Sequence, residues 1–135
     1  MLYLLNTNIV SDLVRNPQGR AADRLRVVGE GSVFTSVIVA AELRYCAMKK
    51  GSLRLTTQVD LVLGALKVLS LEAPDDAAYG ALRADLERRG QLIGGNDLLI
   101  AAHAITTGAT LVTDNEREFS RVNDLVVENW LNYKD

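Results

Sequence analysis

Short apolar runs of three or four residues alternate with longer stretches patterned as helices, and this alternation limits the fold more than any other feature. The runs are Tyr3–Leu5, Ser32–Thr35, Val68–Leu71, Thr110–Val112 and Leu125–Val127. Between them, helical spacing of apolar residues predicts helices over Ile9–Val14, Ala21–Val28, Val37–Lys50, Leu53–Leu66, Asp75–Arg89 and Asp97–Thr107, with one further turn at Glu116–Phe119. Asn6-Thr7-Asn8 and Thr35-Ser36 supply capping side chains, and Gly51, Gly90 and Gly108 stand where helices stop. Strands separated by helices build βα units. The expected fold is therefore α/β, a three-layer α/β/α arrangement around a mostly parallel sheet of about five strands.

A chain of 135 residues fits one domain, spanning 1–135. Lysine and arginine total 15 against 17 acidic residues, a net charge of −2. General attraction of a basic protein to nucleic acid is thereby excluded as the main binding force, although a local basic strip is not. The single cysteine, Cys46, rules out an internal disulfide and a four-cysteine zinc site. With His103 the only histidine, any metal site has to be built mostly from carboxylates. The apolar start Met1–Leu5 is too short for the core of a signal peptide, and no apolar run approaches the ~18–20 residues of a membrane helix. A cytoplasmic protein without membrane contact is expected.

Ligands in an open parallel sheet gather beyond the carboxyl ends of the strands. Asn6 follows the first strand and Asp114 the fourth, while Asp97 opens a helix after two glycines. Glu42 stands among Val39, Ala40, Ala41 and Leu43, where a carboxylate is costly to bury unless something receives it. Each also has an ordinary structural role open to it. Asn6 suits a helix cap, Asp97 a helix dipole, Asp114 an Asx turn, and Glu42 an ion pair with Arg44 or Lys49. His103 follows Asp97 by six residues, about 240° round a helix at roughly 100° per residue, so it reads as packing rather than as a ligand. Cys46 shares the face of Glu42 and reads as a small apolar filler, with Phe119 and Trp130 as core residues.

Four ordered segments change the weight of these positions. Leu4-Leu5-Asn6-Thr7-Asn8-Ile9, Val37-Ile38-Val39-Ala40-Ala41-Glu42-Leu43-Arg44-Tyr45, Ile93-Gly94-Gly95-Asn96-Asp97-Leu98-Leu99 and Leu111-Val112-Thr113-Asp114-Asn115-Glu116-Arg117-Glu118-Phe119 follow one another along the chain. Together they resemble the segments of PIN-domain ribonucleases of the VapC toxin type. The resemblance implies a PIN-like fold and hydrolysis of RNA phosphodiesters, in structured RNA such as tRNA. It implies that Asn6, Glu42, Asp97 and Asp114 surround Mg²⁺, with Mn²⁺ as the other candidate. Thr7 and Thr113 are then hydroxyls supporting those ligands, and Asn115 stands where the family carries Asn or Asp. Which of Asp114 and Asn115 faces the metal stays open at this point. One departure is large: the family has Asp where this chain has Asn6. An amide offers a carbonyl oxygen but no negative charge, so weakened or abolished activity is expected.

RNA also needs a basic rim. Arg15, Lys49, Lys50 and Arg117 are the leading candidates, with Arg20, Arg24, Arg26, Arg54, Arg88 and Arg89 behind them. Surplus apolar positions on Leu53–Leu66 and Asp75–Arg89 suit a dimer face. The resemblance implies a homodimer and a cognate antitoxin protein. Two further readings are a non-catalytic PIN-like module that binds RNA or a partner, and a response-regulator-like switch, which lacks a suitable lysine after Thr110–Val112.

Overall fold

The computed structural model describes residues 1–131. Five strands form one wholly parallel sheet: β1 (Tyr3–Leu5), β2 (Val33–Ser36), β3 (Lys67–Leu69), β4 (Thr110–Val112) and β5 (Val127–Glu128). Their spatial order is β3-β2-β1-β4-β5. The helices are α1 (Thr7–Arg15), α2 (Arg20–Val28), α3 (Val37–Lys50), α4 (Leu53–Ala65), α5 (Asp75–Arg88), α6 (Gly95–Thr107) and the single turn α7 (Glu116–Phe119). This is the expected α/β architecture. The strand order also disposes of the response-regulator reading, which needs β1 flanked by β2 and β3. Among the described residues, no helix is long and apolar enough to cross a membrane.

Local chemistry sets the boundaries. Ser36 caps α3 by accepting the Ile38 N–H at 3.1 Å, and Ser52 caps α4 through the Leu55 N–H at 3.1 Å. Gly51 ends α3 at φ 62°, a left-handed conformation that costs a residue without a Cβ nothing. The structure corrects two strands by a few residues. β3 ends at Leu69 instead of Leu71, and β5 begins at Val127 instead of Leu125. Both lie at sheet edges, where pairing reaches only as far as the neighbouring strand's register, Thr35↔Val68 and Val112↔Glu128. α6 starts at Gly95, two residues before Asp97.

β1 and β4, in the middle of the sheet, are buried at every position. Val39, Leu98, Ile100 and Phe119 close over them in one core, and Trp130 stacks edge-on against Tyr3 with ring centroids 5.4 Å apart. His103 is buried, its Nδ1 3.0 Å from the Ser36 hydroxyl. Burial lowers its pKa against the opposing pull of Asp75, in keeping with a packing role. Rigid central strands thus present Asn6 and Thr113 at adjacent carboxyl ends, Asn6 N–H donating to the Val112 carbonyl at 2.9 Å.

Candidate active site

A cleft of about 410 Å³ opens beyond those strand ends, bordered by Asn6, Thr7, Glu42, Asp97, Asn115 and Lys50 among others. Asn6 occupies the N-cap position of α1, yet its side chain makes no capping bond. Its Nδ2 donates instead to Thr113 Oγ1 at 2.9 Å, and its Oδ1 is buried without any hydrogen-bond partner. An orphaned buried acceptor costs about 1–3 kcal/mol, so the capping explanation fails for this residue. Thr113 Oγ1 also faces Asn8 Nδ2 at 3.3 Å and the Asn115 N–H at 3.0 Å. Three donors converge on an oxygen with two lone pairs, which leaves the hydroxyl's own proton without use.

Glu42 is half-buried on α3 and receives the Thr7 hydroxyl at 2.7 Å. Neither basic neighbour takes it: Arg44 pairs with Asp60, and Lys49 lies over the Tyr45 ring at 5.9 Å from its centroid. Asp97, in the first turn of α6, is pushed up to about 7. Burial is the largest cause, followed by its hydrogen bond with Glu118 and the charges of Glu118 and Glu42. Burial acts against ionisation of Glu118 as well. Hydrogen bonds from Asp97, from Asn115 Nδ2 at 2.6 Å and from the Gly94 N–H at 3.3 Å outweigh it, so Glu118 stays below its usual range. Crowding by Glu118 and Glu42 on top of burial thus disfavours a negative charge on Asp97.

Glu118 is the residue that sequence reasoning missed. It lies four positions beyond Asp114, and the one-turn helix α7 folds it back over Gly94. The signal available was the spacing itself, since a residue one helical turn after a strand-end loop can face that loop. Asp114 needs the opposite correction. It is exposed and does not border the cleft; its Oδ1 accepts Asn129 Nδ2 at 3.0 Å while its N–H donates to Asn8 Oδ1. Asn115 borders the cleft in its place. Of the basic candidates, Arg15 and Lys50 border the cleft, Lys49 and Arg117 do not, and Arg26, Arg88 and Arg89 are engaged by Asp23 or Asp85. Cys46 is an exposed cleft residue and not a filler, because the face of α3 that carries Glu42 looks into the opening.

Residues 3–125 match the PIN domain family. The chain belongs to that family. It is 39% identical to "Ribonuclease VapC2" of Rickettsia felis over 96% of this chain and 98% of that one. It is 37% identical to "Ribonuclease VapC2" of Haemophilus influenzae at the same coverage, and 32% identical to "tRNA(fMet)-specific endonuclease VapC" of Shigella flexneri over 95% of this chain. Its backbone matches that in the crystal structure of VapBC2 from Rickettsia felis bound to a promoter DNA fragment, with a TM-score of 0.90 over 96% of this chain and 99% of that one. These likenesses set the chain among the VapC-type toxin ribonucleases within the PIN-domain family.

PIN nucleases are generally metal-dependent, and the donor set here suits a small hard cation. Among the described residues, no three acidic, histidine or cysteine side chains converge closely enough to ligate one ion, so the implied ring of acids is incomplete. Asn6 contributes a neutral carbonyl, and Asp114 is turned away. What remains is an unpartnered buried oxygen at a cleft that Glu42 and Asp97 also border, with ionisation of Asp97 disfavoured. Mg²⁺ is commonly held by one or two carboxylates plus waters, and that requirement is met.

The raised pKa of Asp97 has a measurable consequence for stability. With its pKa raised from 3.8 to about 7, Asp97 keeps a proton in the folded chain that the unfolded chain has already lost. Stability from this group is full below pH 3.8, declines as pH rises and is gone above about 7. His103 acts oppositely, because its lowered pKa favours the folded state at higher pH. Comparing Tm between pH 5.5 and 8 in metal-free protein and in Asp97→Asn isolates the acid. The substituted chain should lose less stability on alkalinisation, whereas parallel curves would contradict the raised pKa of Asp97.

Proposed function

We propose that this chain is the toxin of a toxin–antitoxin pair and hydrolyses RNA with Mg²⁺ or Mn²⁺, its activity weakened by Asn6. The carrying observation is the orphaned Oδ1 of Asn6 at a cleft that Glu42 and Asp97 also border. In this reading Asn6, Glu42 and Asp97 border the cation's place, one or two of the carboxylates holding it with waters, while Glu118 and Asn115 act in support and Asp114 stays outside. When bound, the cation lowers the pKa of a water, polarises the phosphate and offsets charge on the leaving oxygen. Thr7 holds the Glu42 carboxylate in place, and Thr113 holds Asn6. Arg15 and Lys50 take the RNA backbone at the cleft's edge. The name of the Shigella relative supports structured RNA, tRNA in particular, as substrate. VapBC structures bound to DNA support a cognate antitoxin and a cytoplasmic setting. Exposed Leu53 and Leu61 on α4 favour a homodimer or antitoxin contact there.

The hydrogen bonds favour an acid at position 6. A carboxylate would accept the Thr113 hydroxyl, giving that proton a use and removing one of three competing donors. Asn6 thus reads as a replacement for Asp in an otherwise retained site. A binding module that cuts nothing is the second reading, favoured by the missing charge alone. Mn²⁺ binding followed by electron paramagnetic resonance, together with RNA cleavage in Mg²⁺ against EDTA, tests the proposal. We expect Mn²⁺ bound by this chain and by Asn6→Asp, and EDTA-sensitive cleavage at least in Asn6→Asp. Absence of both in both proteins would sink the nuclease reading.

A further inference from the structure

The cleft does not end at Arg15. The same residue also borders an open groove of about 720 Å³ at the α1–α2 corner, together with Gln18 and Arg20. We propose that this groove is a second RNA subsite, taking the phosphates of single-stranded nucleotides next to those in the cleft. The inference rests on the nuclease reading and extends it to the substrate's path.

Charge pairing carries the argument. Arg26, Arg44, Arg83, Arg88 and Arg89 are each engaged by an acid. Among the described residues, Arg15, Arg20 and Lys50 have no acidic partner and border the cleft or groove, while the other unpaired cations, Arg24, Lys49, Arg54, Lys67, Arg117 and Arg121, border neither. Lys50 and Arg15 border the cleft and Arg15 and Arg20 the groove, so Arg15 joins the two openings. The groove does contain one acid, Asp12. It is buried and turned to Asn16, whose Nδ2 donates to its Oδ1 at 2.7 Å, and neither arginine pairs with it. Its volume is comparable to the roughly 300–1,000 Å³ of small-ligand sites. Among the described residues no aromatic side chain borders it, so bases have nothing to stack on and the grip falls on the backbone. The subsite therefore adds affinity that is independent of sequence and sensitive to salt.

Two readouts test it. With this chain in EDTA, fluorescence anisotropy measures binding of a labelled single-stranded RNA of about 12 nucleotides across a salt series. Arg20→Gln should weaken binding about 3- to 5-fold at low salt and reduce the salt slope by about 0.7, while Arg88→Gln changes neither. In the Asn6→Asp background, Arg20→Gln should raise KM for an RNA long enough to span cleft and groove but not for one that fills the cleft alone, moving the long-to-short KM ratio upward toward one. An unchanged slope with an unchanged KM ratio overturns the subsite. If neither protein cuts RNA or binds Mn²⁺, the nuclease reading falls while anisotropy still decides whether RNA occupies the groove.

Discussion

Asn6→Asp should raise Mg²⁺-dependent RNA cleavage by at least about 10- to 100-fold over the chain as it stands. The estimate is a floor, because that range describes loss of groups that only support a metal ligand, whereas residue 6 itself borders the cleft. Two effects combine. The acid adds a negative charge where the site has an amide, and it gives the Thr113 hydroxyl a strong acceptor. Stability should move the other way without metal, since a further carboxylate joins Glu42, Asp97 and Glu118. The metal-free Asn6→Asp protein is expected to melt lower than the parent and to gain more Tm from Mg²⁺. Cleavage assayed on total RNA and melting followed with and without Mg²⁺ check both. A revertant that stays inactive and gains nothing from Mg²⁺ would refute the assignment of position 6.

Asp97→Asn, placed in the Asn6→Asp background, should lower cleavage about 100-fold or more while leaving the fold intact. Its carboxyl sits among Glu42 and Glu118 at a cost that grows as it ionises, so its removal is expected to raise Tm at pH 8 in metal-free protein. Loss of activity with gain of stability is characteristic of a group kept for function. The contrast is Asp114→Asn, which changes an exposed side chain held by Asn129 outside the cleft. Its effect should stay within a few-fold. Equal losses from the two substitutions would mean that the acid after β4 does enter the site when RNA and metal are present.

The difference between these two aspartates shows what could be read from residue order. Asp97 was legible because a glycine pair and a helix start bring its position to the cleft whatever the side chain does. Asp114 was misplaced because a strand-end position says only that a residue is near. Direction is set by partners from far along the chain, here Asn8 and Asn129. Glu118 was illegible for the same reason, since its approach to Gly94 depends on how one turn of helix packs over Phe119. Cys46 and Glu42 share a helix face, but only the packing of α3 against α1 turns that face toward the opening.

Periodicity and capping residues by themselves determined the α/β class and, among the described residues, the seven α-helices and five strands to within a few residues, but not the 3-10 turn at Glu30–Ser32. These follow from interactions within a few positions of one another, which a sequence carries directly. The four family-like segments further pointed to the region where the cleft opens. Tertiary structure alone decided the sheet order, the unpartnered oxygen of Asn6, the burial and acidic neighbours that raise the pKa of Asp97, and the outward turn of Asp114. Each depends on groups brought together from distant segments, where burial and competing donors and acceptors, rather than local preference, fix the outcome.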